Sequence, residues 1–396
     1  MNILFCIATL ENDGAERAMS NITTHLPDNV KADILLNSIS EHDFPTNARK
    51  ISLGMKPDSK KGLWYQAKAF WKRMNKLREL KRDNHYDACI SFMESANFCN
   101  IWTKKAGCKT IVSVRLSIEQ EKTPIYKYMI QPVVKKIYNN ADYVVAVSEG
   151  IRKSLISSFH IASEKVVTIT NGYDVNAILT ERDKKSFVAL EKDVFYFVTV
   201  GRLDAQKGHW HLIRAFSKVA KVCPNAKLLI VGQGREKEYL EKLINIWEVN
   251  DKVILTGRQN NPFAILSKCQ VYVMPSLFEG YSNALCEALI CGLPCIATDF
   301  RTSAREILAP DTDVMYQNTS GIEYAKYGVI TPVCSGQRYQ GTESLEKAEE
   351  LLADAMIRMY EDDDLRSAYK DIAMRRGREL DINKKVEEWL NLVQGI

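Results

Sequence analysis

The 396-residue chain contains no CxxC pair, no low-complexity tract and no short internal repeat. Ten cysteines scattered from Cys6 to Cys334 exclude a disulfide framework and read as free thiols in a reducing cytoplasm. The six histidines and ten cysteines show no ligand spacing. No isolated DxD triplet suits a metal-bound diphosphate, because Asp362 to Asp364 lie in a charged helical run, so no metal is expected. A long hydrophobic run is missing too. The apolar start MNILFCIATL is too short to span a bilayer and lacks the basic front of a signal peptide, so it is expected to form a first buried strand. Apolar residues at 46% and charged residues at 26% exclude a disordered or fibrous chain. The length, about twice that of a usual domain, leads us to expect two domains.

What is present is unevenly distributed. The formal net charge of +5 combines 28 Lys+Arg against 20 Asp+Glu in residues 1–190 with 26 against 29 in the remainder, so the first half seeks an anionic partner. Between Lys60 and Arg82 nine basic residues face one acid, Glu79. Helical spacing there places Leu63, Ala67, Phe70, Met74 and Leu77 on one face and Lys68, Lys72, Arg73 and Lys76 on another, with Trp64 and Trp71 available as interfacial anchors. Two readings stand: docking to an anionic membrane surface, or a core-packed helix with a solvated basic face. No recognition module accompanies the charge, so nucleic acid is not expected as a partner.

Short β-rich runs alternate with helical patterns: NILFCIA, ADILLN, YDACISF, KTIVSV and DYVVAV, then VFYFVTV, AKLLIVG, KVILTG, QVYVMP and GLPCIAT. This is the βαβ rhythm of parallel sheets. It breaks between about Asn171 and Lys192, where the linker is expected. The fold class is therefore α/β, with Rossmann-like halves at 1–180 and 190–378 and a last helix, 379–396, packing back on the first half. Two such sheets placed face to face create one cleft, with motifs at the strand ends.

The motifs fall there. In VTVGRLDAQKGHWHLIRAF a strand ends at Gly201, and Arg202 and Lys207 follow before a helix, two cations fit to stabilise a departing diphosphate or else simply solvated. In VYVMPSLFEGYSNALCEALICGLPCIATD, Glu279 and Gly280 lie in a loop, Ser282 is a natural N-cap, and Glu287 lies beyond the first helical turn. Gly14 allows close backbone approach after the first strand, or is mere punctuation. Arg258, after another strand, is placed to touch a base or diphosphate. Gly232 and Gly234 form a tight turn, but the GxGxxG of a dinucleotide site is absent.

Together these residues resemble glycosyltransferase family 4, whose members are retaining enzymes of the GT-B fold. GRLDAQKG resembles the family's diphosphate-binding turn, and Glu279 with Glu287 its EX7E motif; ENDGAERAM resembles its first glycine turn and NGYD its linker entry. The resemblance spans nearly the whole chain. It implies that Arg202 and Lys207 contact the nucleotide diphosphate, Glu279 contacts the donor sugar and assists catalysis, and Glu287 holds the ribose. Gly14, Arg258, Gly280, Tyr281, Ser282 and Asn283 complete the expected donor site. The implied reaction is metal-independent transfer of a hexose or N-acetylhexosamine, with retention, from a sugar nucleotide (UDP-linked by expectation) to a lipid-linked or surface-polysaccharide acceptor at the inner face of the membrane. A non-catalytic sugar-nucleotide or polyanion-binding protein on the same scaffold is the alternative.

Two departures from the pattern concern substrates. Many members carry a histidine after the strand equivalent to KTIVSV, where this chain has Arg115. An arginine cannot serve as a base, so Arg115 either binds an anionic acceptor or donor phosphate or pairs with Glu119 or Glu121. In FRTSAREIL, Ser303 and Ala304 stand where relatives using UDP-hexoses often have Gly-Pro; Arg305 and Glu306 remain, near the cleft or as an exposed ion pair.

Overall fold

The computed structural model describes residues 1–11, 14–55, 62–119, 123–186 and 188–396. The chain divides into two compact units, Met1–Tyr173 with Asp381–Ile396, and Asp174–Leu380. The first holds strands β1 (Asn2–Cys6), β2 (Lys31–Leu36), β3 (Arg49–Ser52), β4 (Ala88–Phe92), β5 (Lys109–Val114), β6 (Tyr143–Ala146) and β7 (Val166–Thr168). They form one parallel sheet in the order β3-β2-β1-β4-β5-β6-β7. The apolar start is indeed a buried strand: Ile3, Leu4, Phe5 and Cys6 are at most 1% exposed. Covered on both faces, these strands need continuous rather than alternating apolar runs.

The second unit repeats the plan with β8 (Phe195–Val200), β9 (Ala226–Val231), β10 (Val253–Gly257), β11 (Val271–Met274), β12 (Cys295–Thr298), β13 (Glu323–Ala325) and β14 (Gly328–Thr331). The order is β10-β9-β8-β11-β12-β14-β13, and β13 runs antiparallel to β14. In each sheet the order reverses once, between β1 and β4 and between β8 and β11. Such reversals open a crevice beyond the strands' carboxyl ends.

The segment expected as linker contains a helix, Val175–Arg182, capped by Asp174, whose side chain accepts from Ala177 N at 2.8 Å; it belongs to the second unit. The chain returns at Asp381. Ile382 N donates to Tyr173 O at 2.9 Å, and the helix Ile382–Gln394 buries Trp389 against Phe92 of the first unit, with ring centroids 5.7 Å apart.

The basic segment forms the helix Leu63–Asp83, with Phe70, Met74 and Leu77 of the expected face packed on the core beside Ala69, Arg73 and Leu80, while Ala67 is exposed. Arg73 therefore leaves the cationic face. It is 3% exposed and donates to Ser95 Oγ and Asn37 Oδ1, both at 2.8 Å, while the buried Lys81 donates to Asn100 and Thr103. Outward remain Lys68 and Lys72, with Trp64 at 91% and Trp71 at 64% exposure. Lys60 and Lys61 lie outside the described residues. All ten cysteines are free thiols; nine are buried.

Candidate active site

The second unit's site is built where β8 and β11 lie side by side. Beyond β8 the chain makes a short turn at Ala205–Lys207, and the helix His209–Val222 begins after Gly208. Gly208 stands at φ +61, and a Cβ there would collide with the Pro275 carbonyl oxygen beyond β11. Only glycine lets the two loops touch this closely. Leu277 N donates to Gln206 O at 2.8 Å, fastening the β11 loop to the β8 turn. Gly232, beyond β9, serves the same packing: its Cβ would strike the Gly201 carbonyl oxygen. The VGQGRE turn is thus a spacer under the site.

Lys207 Nζ lies 2.7 Å from Glu279 Oε1, with the two side chains 15% and 8% exposed. Ser276 Oγ donates to the same oxygen at 2.8 Å, and Gln206 Nε2 to Oε2 at 3.2 Å. Sequence reading overlooked Ser276 and Gln206, although both sit in the strand-end loops that the motifs mark. The Glu279 main chain is held as well, its N–H on Arg301 O at 3.0 Å and its carbonyl taking Thr302 N at 3.3 Å. Three residues on, Ser282 Oγ accepts from Leu285 N at 3.3 Å and caps the helix Asn283–Ile290. Glu287, one turn in, is 5% exposed.

Other candidates are placed differently. Arg202 follows β8 directly, its side chain 61% exposed and its Nε 3.3 Å from Asp204 Oδ2. Arg258 is exposed beyond the edge strand β10. Gly280 O accepts from Thr302 Oγ1 at 3.1 Å. Tyr281 is buried near Cys286, Glu306 and Arg376, and burial pushes its hydroxyl well above the usual range. Burial and the Lys207 cation pull His209 down to about 3, so its imidazole is neutral.

Arg305 is not in an exposed pair. It is 3% exposed, lies 2.8 Å from Asp299 and 2.7 Å from Glu323, and stacks on Tyr316 with its guanidinium carbon 4.6 Å from the ring centre. Its donors are committed to holding β12, β13 and the loop between them. The main-chain carbonyl of Glu306 accepts from Arg376 at 3.0 Å.

In the first unit Gly14 opens the helix Gly14–Thr24 at the carboxyl end of β1, and residues 12–13 before it lie outside the described set. Arg115 follows β5, bonds Asn171 and Ser113, and stacks on Phe92 with its guanidinium carbon 4.6 Å from the ring centre. The Glu119 pairing is not formed: Glu119 accepts from Ser154 at 2.6 Å and Ser158 at 3.2 Å, and Glu121 is outside the described residues.

Residues 181–327 match the family model Glycosyl transferases group 1, and residues 12–177 match Glycosyltransferase Family 4. An uncharacterized glycosyltransferase of Methanocaldococcus jannaschii is 34% identical over 339 residues, 83% of each chain. The chain belongs to the family 4 glycosyltransferases. An N-acetylgalactosamine-N,N'-diacetylbacillosaminyl-diphospho-undecaprenol 4-alpha-N-acetylgalactosaminyltransferase of Campylobacter jejuni is 28% identical across 98% of both chains. Anabaena HepE, solved with UDP and glucose, superposes with a TM-score of 0.75 over 100% of both chains at 17% identity. The transferase therefore has the GT-B fold of two Rossmann-like units.

A buried network stiffens the helix that begins the transferase's site. Glu349 takes His211 Nδ1 at 2.7 Å and Arg214 Nε at 2.8 Å, all three side chains being 0% exposed. Gly336 N donates to His211 Nε2 at 3.1 Å, which fixes the neutral tautomer with its proton on Nδ1. Trp210 Nε1 donates to Gln337 O at 2.9 Å. Among the described residues, His211, Cys334 and Glu346 form a group of metal-compatible spacing, but Glu346 is committed to Ser335 N at 2.8 Å and Tyr339 at 3.0 Å.

Proposed function

We propose that this transferase moves a hexose or N-acetylhexosamine, with retention, from a UDP-sugar to a lipid-linked or surface-polysaccharide acceptor of O-antigen, capsule or core type. The observation that carries the donor half is the Lys207–Glu279 pair set beside a Ser282-capped helix start at the sheet's reversal. A donor diphosphate at this edge meets Lys207, Arg202 and the positive end of the Ser282-capped helix, while Glu279 faces the sugar and Glu287 the ribose. As the glycosidic bond breaks, charge builds on the leaving oxygen, and Lys207 is already held in place to stabilise it. Glu279 has its charge shared among Lys207, Ser276 and Gln206, which makes it a weak nucleophile and favours attack by the acceptor on the vacated face, with a diphosphate oxygen taking the proton. Within the second unit Arg258, Gly280, Tyr281 and Asn283 are assigned to donor binding; within the first, Gly14 is assigned to close backbone approach of a phosphate or sugar and Arg115 to an anionic group.

UDP is supported by HepE's bound nucleotide, and a lipid-linked acceptor by the Campylobacter relative. On this reading the cations replace a metal. Transfer from UDP-sugars, followed as UDP release, is expected to survive excess EDTA with its rate within about twofold of the untreated value. Loss of turnover that magnesium or manganese restores would overturn that point.

Among the described residues no helix is long and apolar enough to cross a membrane. The exposed Trp64, Lys68, Trp71 and Lys72 support peripheral docking to the inner, anionic face instead. The protein should co-sediment with vesicles of 30% phosphatidylglycerol more than with neutral vesicles, by about tenfold at low salt, and should lose most of that advantage near 0.5 M salt. Equal partition between the two vesicle types would refute docking.

A further inference from the structure

The first unit has its own sheet reversal, at the carboxyl ends of β1 and β4, and the β4 end carries an unfilled polar group. Met93, directly after β4, stands at φ 73 and ψ 149, a conformation that residues with a side chain rarely adopt. The turn it makes starts the helix Glu94–Trp102 at the sheet edge, and strained positions of this kind gather at ligand sites. Glu94 is 4% exposed. Its Oε2 accepts from the Tyr126 hydroxyl at 3.1 Å, while Oε1 is buried with no hydrogen-bond partner among the described residues. Burial raises its pKa, opposed by its own backbone N–H and Tyr126. Arg73, also bonded into this corner, gives its two Nη atoms to Ser95 and Asn37, while its Nε is likewise buried without a partner among the described residues.

A carboxyl oxygen so placed has unused capacity in either protonation state, as an acceptor when ionised and a donor when protonated. A phosphate can use it only while the carboxyl is protonated, because an ionised carboxylate repels the anion. A sugar hydroxyl both gives and takes a hydrogen bond and fits either state. We infer that Glu94 is a specificity-determining residue of the acceptor subsite, where its unfilled oxygen takes a ring hydroxyl of the acceptor glycan. This rests on the transferase reading above and adds to it a residue that lies outside the sequence motifs. A plain helix-start acid would affect stability alone.

The test uses the full chain with UDP-N-acetylgalactosamine as donor and octyl α-N-acetylgalactosaminide as acceptor. Glu94→Ala should raise the acceptor KM by about tenfold, one lost hydrogen bond in a buried site, and leave the donor KM within about twofold. Glu94→Gln should fall between wild type and Glu94→Ala, and Tyr126→Phe should shift the acceptor KM in the same direction. An unchanged acceptor KM in a folded Glu94→Ala, or acceptor and donor KM rising together, overturns the inference. So does a lowered melting temperature in Glu94→Ala accompanied by wild-type kinetics in Glu94→Gln. If the wild type releases UDP but the octyl glycoside neither binds nor accelerates release, the glycan subsite falls while the donor assignment stands; if UDP is not released either, both fall.

Discussion

Lys207→Ala is expected to lower kcat by about 100- to 1,000-fold, the usual cost of removing one preorganised charge from a developing anion. The same change should lower stability by about 3 kcal/mol, because it strips a mostly buried carboxylate of its counter-ion. Glu279 would keep Ser276 and Gln206, two neutral donors that cannot balance its charge. Both effects are read on one preparation, turnover by UDP release and stability by urea melt. Glu279→Gln separates them. It should also lose turnover strongly, but with a smaller loss of stability than Lys207→Ala, because the amide oxygen still accepts from Ser276 and the Lys207 left without its partner keeps 15% of its side chain exposed. Turnover of Lys207→Ala within tenfold of wild type would move the diphosphate away from this turn.

Glu349→Ala should have the largest stability effect in the second unit. It leaves Arg214, which is 0% exposed, with only the half-exposed Glu343 carboxylate at 4.0 Å, and it removes the His211 acceptor and half of the capping box that starts the helix Lys347–Glu361. Breaking a buried pair from one side costs about 3–5 kcal/mol, which corresponds to a melting temperature lower by on the order of 10 °C for a unit of this size. Thermal melts followed by circular dichroism check it. A shift of a degree or two would mean that Arg214 is adequately held by the Glu343 and Ser344 carbonyls and by Tyr339, whose ring centre lies 3.7 Å from the guanidinium carbon.

Much of the second unit was legible in the sequence because its signals are local. Gly208 and the run around it announce a strand, a turn and a helix within twenty residues, and Ser282 caps the helix it was expected to cap. Glu279 and Lys207 are 72 residues apart, so their pairing depends on β8 and β11 becoming neighbours, which only the sheet order reveals. Arg305 misled for a similar reason: a charge on a polar loop reads as exposed until Asp299 and Glu323 close around it. On the basic helix Phe70, Met74 and Leu77 pack inward as expected, but the assumption that charge points outward misplaced Arg73, which with Lys81 reaches neutral oxygens inside. Glu94 carries no motif at all; its setting comes from the Met93 backbone and from Tyr126, which is 32 residues away.

The most direct measurement is calorimetric titration of UDP into the wild type and into Lys207→Ala. A donor diphosphate seated on the Lys207 turn requires the wild type to bind and the variant to bind at least about tenfold more weakly, one charge-assisted contact being worth that much. Equal affinities in two folded proteins would contradict it.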